Sequence, residues 1–173
     1  EWFDLDHITP SAAQFNTEKL KWLNAHYIKQ TELAKLATDA ARRLAVRGVN
    51  LDGGPDLEAV VALYRERVST LVELADSVEP FYIQPTPSEE LAAQHLSEVA
   101  KDALAALAAR LQAAPWEKAA LNAAIKETCA EKGLKMPQVA IPLRVKLLGV
   151  PQTPSIDAVL EVMGRECVLA RLA

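Results

Sequence analysis

The side chains able to do chemistry in this 173-residue chain are sparse and mostly donors. Its three histidines, His7, His26 and His95, are scattered, and no HExxH, GxSxG or glycine-rich phosphate loop occurs. Cys129 and Cys167 belong to no closely spaced Cys/His set, so neither a zinc site nor a disulfide framework is indicated, and both are expected to be reduced, as in a cytosolic protein. A self-contained enzyme is therefore disfavoured. What remains is Arg65 and Arg67 in YRERVSTLVEL, Arg144 in IPLRVKLLG, the segment from Thr153 through Pro154 to Ile156, and Trp22. On their own these have structural readings. Arg65 and Arg67 suit a solvated helix face, and Arg144 suits the edge of a core with its stem along apolar surface. Thr153 to Ile156 suits a helix start, while Trp22 and Trp116 suit core anchors in a chain with only 5% aromatic residues. His26 reads as a surface histidine and receives no role.

The elements that must hold these residues read as helices throughout, because alanine and leucine dominate and the alternation expected of strands is missing. The chain is expected to be all-α, without a sheet. A first helix should start at an Asn16 cap and end near Gln30, burying Leu20, Leu23, Tyr27 and in part Trp22. A second should run from Thr31 to Val46 with Leu33, Leu36, Ala40 and Leu44 inward, followed by the turn NLDGGPD. A third is expected from Leu57 to Leu74, with Arg65 and Arg67 on its flanks. The proline-rich SVEPFYIQPTPSEE then reads as a linker. Ser88 should cap one long helix through Arg110 or Leu111, Pro115 should open the next, and Gly133 should close it. The last third divides into three pieces, with Pro142 shortening or kinking the first, Ser155 capping the second and Gly164 ending it. No repeat of 20 to 50 residues is present.

Half of the residues are apolar, enough for one substantial core or two small ones. No apolar run approaches the roughly 20 residues of a membrane span, and the acidic EWFDLD lacks the basic flank of a signal peptide. A net charge of -4 argues against an indiscriminate nucleic-acid binder. Residues 131–173 nevertheless hold Lys132, Lys135, Arg144, Lys146, Arg165 and Arg171 against four acids, a balance of 6 - 4 = +2 that could form a small basic surface.

Three stretches add a resemblance. FDLDHITPSAAQFNTEKLKWLNAHYIK is similar to the junction between stem-contact and anticodon-binding regions of bacterial glutamyl-tRNA synthetases, with Phe15, Asn16, Lys19, Leu20, Trp22, Asn24, Tyr27 and Ile28 in the pattern. AEKGLKMPQVAIPLRVKLLGVPQTPSIDAVLEVMGRECVLARL resembles the C-terminal head of the same family, with Leu148 departing from a usual threonine before Gly149. YRERVSTLVEL falls between them, where the first anticodon-reading arginines are expected. The resemblance implies two consecutive helical subdomains forming an anticodon-binding cage: residues 1–30 as junction, 31–84 as the first subdomain and 85–173 as the second. It implies that Arg67 contacts the third anticodon base, that Arg144 faces the loop, and that Thr153, Pro154 and Ile156 pack against the other two bases. Arg65 becomes a phosphate or loop neighbour, and Trp22 lies near the RNA junction. The implied partner is the anticodon loop of glutamate tRNA, bound by a cytoplasmic monomer. No cofactor is expected in these residues. ATP with magnesium is implied for a catalytic half with HIGH and KMSKS-type motifs lying outside them, since KMPQ at Lys135 is no KMSKS loop. The competing reading is a helical protein–protein interaction scaffold without an RNA role, which the negative charge would suit equally well.

Overall fold

The computed structural model describes residues 16–173. In order come α1 (Thr17–Gln30), α2 (Leu33–Val46), α3 (Leu57–Tyr64), α4 (Leu71–Val78), a 3-10 turn (Glu79–Phe81), α5 (Glu89–His95), α6 (Glu98–Ala113), α7 (Lys118–Lys132), α8 (Met136–Leu148), α9 (Ile156–Met163) and α10 (Arg165–Leu172). No strand occurs among the described residues, so the chain is all-α. The buried side chains from Ile28 to Val168 form one continuous cluster, in which helices near the two ends of the described chain share a core.

Local chemistry sets most boundaries. The Asn16 side chain accepts from the Lys19 amide at 3.0 Å, fixing the start of α1, and Gly133 closes α7 at φ 64°. Two expected helices are broken by caps that the apolar pattern conceals. The helix expected from Leu57 to Leu74 divides at residues 65–70, because the Thr70 hydroxyl accepts from the Glu73 amide and the Glu73 carboxylate accepts from the Ser69 amide. This Thr-x-x-Glu arrangement satisfies two backbone amides at a new helix start. It also moves Arg67 from a helix face into a connecting turn. In the same way the Ser97 hydroxyl accepts from the Ala100 amide and separates α5 from α6.

Other expectations shift. The supposed linker is partly structural, since α4 continues to Val78 and Phe81 is 1% exposed, edge-on to Tyr64 with ring centroids 6.0 Å apart. Pro115 precedes α7 instead of opening it, and Lys118 receives its terminal partner from Glu161, whose carboxylate accepts the Lys118 amide at 2.9 Å. Pro142 neither ends nor shortens α8; it lies buried inside that helix. Helix α1 is the clearest departure. Only Ile28 is buried, while Leu20, Leu23, Tyr27 and Trp22 are exposed. The apolar stripe exists, but among the described residues no second layer covers it.

The chain end is fastened from within. Arg171 is 5% exposed, and its guanidinium donates to the carbonyls of Pro80 at 2.5 Å, Leu147 at 2.8 Å and Phe81 at 3.1 Å. A buried charge bound to several carbonyl dipoles ties α10 to the turn after α4 and to α8. Gly149 sits in the same neighbourhood at φ 70°, where a Cβ would meet the Pro85 ring at 3.0 Å.

Candidate nucleic-acid interface

The break between α3 and α4 brings Arg67 opposite α8 and the segment leading into α9. There Arg67, Arg144, Thr153 and Ile156 line one open cavity of about 590 Å³, together with Asn122 and Asp157. Four of the seven residues singled out in the sequence are thus brought together. Pro154 lies buried directly behind the rim, and its carbonyl accepts the Thr153 hydroxyl at 2.9 Å.

The two arginines are held differently. Arg144 is half-buried, and its Nε donates to the Thr153 hydroxyl oxygen at 2.9 Å, which aims the guanidinium along the cavity wall. Burial and the positive charge of Arg67 both pull the Arg144 pKa below its ordinary value, with Asp157 opposing them. Arg67 is exposed and makes no side-chain hydrogen bond or ion pair among the described residues. Its acidic neighbours are otherwise engaged, Glu66 with Lys29 and Arg65, and Glu73 with the Ser69 amide. The bracing salt bridge that a helix-face arginine would use is therefore absent there. Two cations face one space, and donor capacity is left over.

Asp157 supplies the opposite character and was not singled out in the sequence. Burial disfavours its charge, but the Ser155 hydroxyl, the Ala158 amide and the Lys118 charge outweigh that effect and hold the carboxyl below its usual range. Asn122 donates to the other carboxylate oxygen at 3.3 Å. Ser155 consequently differs from expectation: it occupies the cap position of α9, yet its hydroxyl donates to Asp157 and accepts no helix amide. Asn122 is 35 residues from Asp157, so only the packing of α7 against α9 brings the pair together.

Arg65 and Trp22 lie elsewhere. The Arg65 guanidinium donates to the Lys29 carbonyl at the end of α1, and its Nε lies 3.5 Å from a Glu66 carboxylate oxygen. Trp22 is 67% exposed on α1 and stacks on His26 with centroids 5.7 Å apart. The basic surface expected from residues 131–173 is thinner than its charge count. Arg171 is buried, Lys132 pairs with Asp102 at 2.8 Å, and Arg165 donates to the carbonyls of Gln112 and Ala114 while lying 5.5 Å from the Trp116 ring centroid. Arg144 and Arg67 remain as the cations at the cavity.

The described residues thus form an all-helical module in which two arginines, one buried carboxylate and apolar side chains line a single open cavity. A family profile described as "Anticodon binding domain" matches residues 32–173, and the chain belongs to that family. It is 68% identical over 173 residues to the glutamate–tRNA ligase of Azoarcus sp. (strain BH72), covering all of this chain and 37% of that protein. It is 57% identical, with the same coverage, to the glutamate–tRNA ligase of Dechloromonas aromatica (strain RCB). The chain thus spans little more than a third of the length of these relatives. The crystal structure of a glutamate tRNA ligase from Elizabethkingia meningosepticum in complex with its amino acid has the same fold over 98% of this chain and 34% of that one. There the TM-score is 0.82 at 22% identity.

Proposed function

We infer that this chain receives the anticodon loop of glutamate tRNA in the cavity between the α3–α4 turn, α8 and α9, and so gives an ATP-dependent glutamate–tRNA ligase its choice of tRNA. The observation that carries this is the convergence of Arg67 and Arg144 on one cavity without an ion-pair partner for Arg67 among the described residues. Unstacked loop bases offer acceptor-bearing edges, and arginine offers a fork of donors to them. Asp157 and the Asn122 amide oxygen, which accepts no hydrogen bond among the described residues, supply acceptors for a base that presents N–H. Thr153 fixes Arg144 before the RNA arrives, which lowers the ordering cost of binding.

In this reading residues 31–84 contribute Arg67 and residues 85–173 contribute the rest, so the two units together form the pocket. Glutamate activation with ATP and magnesium belongs to the part of the ligase outside the matched region, and the assembly works as a cytoplasmic monomer. Arg65 and Trp22 are secondary at most, since one guanidinium is engaged with Lys29 and the other side chain stands on α1.

The test is a fluorescence-anisotropy titration of an anticodon stem-loop at several salt concentrations. Binding should weaken with salt, and Arg144→Ala should lower the affinity and flatten the slope by roughly 0.7 for each phosphate that is no longer neutralised. A protein that fails to bind the stem-loop at low salt, or binds it with no salt dependence, would exclude this function and favour a protein-binding scaffold.

A further inference from the structure

Helix α8 borders a second cavity. Pro137 and Ile141 form one wall of the arginine-lined cavity and, from their other flank, one wall of a neighbouring cavity of about 420 Å³. The second space is closed on the far side by the α5–α6 junction, which contributes Gln94, His95 and Ser97. Its chemistry differs from that of the first. No lysine, arginine, aspartate or glutamate lines it; the polar groups are two carboxamides, an imidazole and a hydroxyl, over Ala100, Leu134 and Pro142.

These polar groups have definite spare capacity. The Ser97 hydroxyl accepts from the Ala100 amide, and the Gln138 side-chain oxygen accepts from the Lys135 amide at 2.8 Å. The Gln138 amide nitrogen is left as a donor. Gln94 is exposed, and neither it nor His95 makes a side-chain hydrogen bond among the described residues. A phosphate would find no lysine or arginine here, and a basic side chain would find no carboxylate. A flat, neutral group with apolar faces and a mixed donor and acceptor edge matches the lining, and its volume falls in the range of small-molecule clefts, about 300 to 1,000 Å³.

We propose that this cavity is a further nucleobase subsite, taking a loop base next to those held at the Arg67 and Arg144 cavity, with the neighbouring bases splayed to either side of Pro137 and Ile141. The proposal rests on the RNA-binding function inferred above. Ile141 and Arg144 are three residues apart on one helix, roughly 4.5 Å along its axis, so adjacent nucleotides can reach both spaces. Gln94 and Gln138 read the edge of that further base, whereas no side chain lining that cavity neutralises a phosphate.

The experiment uses stem-loops carrying an abasic nucleotide at each loop position in turn, titrated against wild type, Arg144→Ala, Gln94→Ala and Gln138→Glu. Gln138→Glu keeps the oxygen that accepts from Lys135, so helix α8 retains its cap, while it replaces the donor with a negatively charged oxygen. Wild type should lose affinity at the positions held in the main cavity and at one neighbouring position. At that neighbouring position the loss should shrink in each glutamine variant and persist undiminished in Arg144→Ala. Gln94→Ala should weaken the intact stem-loop roughly fivefold, the scale of one or two neutral hydrogen bonds, with an unchanged salt slope. Identical abasic profiles in wild type and both glutamine variants would overturn the subsite while leaving Arg144→Ala diagnostic for the main cavity. Absence of any stem-loop binding by wild type would overturn both.

Discussion

Arginine plays opposite parts in two regions of this molecule. At the C-terminal seam Arg171 is buried and donates to the carbonyls of Pro80, Phe81 and Leu147, so its charge holds the turn after α4, α8 and α10 together. At the cavity Arg144 has one neutral partner, the Thr153 hydroxyl, and Arg67 has no side-chain partner among the described residues. The same side chain thus serves folding where several carbonyls accept its donors and, under the function proposed above, recognition where its donors remain free. Residue type alone does not distinguish these cases; the count of satisfied donors does.

The comparison is most easily broken at the seam. Arg171→Ala should lower unfolding free energy by about 3 kcal/mol or more, because three carbonyls, two of them in buried hydrogen bonds, lose a charged donor at once. Urea denaturation followed by circular dichroism measures it. Arg171→Lys should recover only part, since an ammonium cannot reproduce the planar fork. A loss below about 1 kcal/mol, the scale of surface pairs, would mean that the seam is held by packing alone and that Arg171 does not differ from the cavity arginines.

Sequence makes some of this legible and hides the rest for identifiable reasons. Helix ends governed by local chemistry are readable, as at Asn16, Gly133 and Gly164, because the cap and its helix lie within a few residues. The break before α4 is equally local, and Thr70 followed by Glu73 is its signal, but the apolar stripe that recurs at helical spacing from Val60 to Leu74 outweighs it. Arg171 falls three residues after the buried Val168, on the same helix face, which hints at an inward arginine; its carbonyl partners come from 24 to 91 residues away. Asn122 and Asp157 carry no joint signal, because their meeting depends on α7 packing against α9. For α1, the apolar stripe is legible and its burial is not, since burial requires a second surface that a periodic pattern does not identify.

The comparison can next be sharpened at Arg67. Glutamate and glutamine anticodons end in C and G. The Watson–Crick edge of C presents two acceptors, where G presents two N–H donors. A donor-only guanidinium should therefore accept C and oppose G by about 1 to 3 kcal/mol, by analogy with bidentate base reading in DNA. Glutamine offers either a donor or an acceptor, so Arg67→Gln should narrow the ratio of affinities for C-ending and G-ending stem-loops. It should leave stability within about 0.5 kcal/mol, because the side chain is exposed and has no partner to lose. An unchanged ratio with both RNAs still bound would take anticodon reading away from this residue.

The smallest effect tests the acid between the two roles. Asp157 lines the cavity but is also tied to Ser155, Ala158 and Asn122, so it should contribute modestly to folding as well as recognition. Burial opposes its charge, and the hydrogen bonds of Ser155 and Ala158 with the nearby Lys118 charge reverse that, leaving the carboxyl below its ordinary value. A depressed carboxyl binds its proton more weakly when folded than when unfolded. Its contribution to stability is therefore complete above the unfolded value, near 4, and is lost as pH falls through the folded value. In Asp157→Asn one carboxylate oxygen becomes an amide donor, which must face Asn122 on one side or Ser155 and Ala158 on the other. The variant should be less stable than wild type at pH 7 by about 1 kcal/mol, and the gap should close as pH drops below 4. Denaturant midpoints measured between pH 7 and pH 3 give the comparison. A gap that persists or widens in acid would show that packing, not the ionised carboxylate, sets the role of Asp157, and would place it with Arg171 as a folding residue instead of with Arg67 at the proposed RNA site.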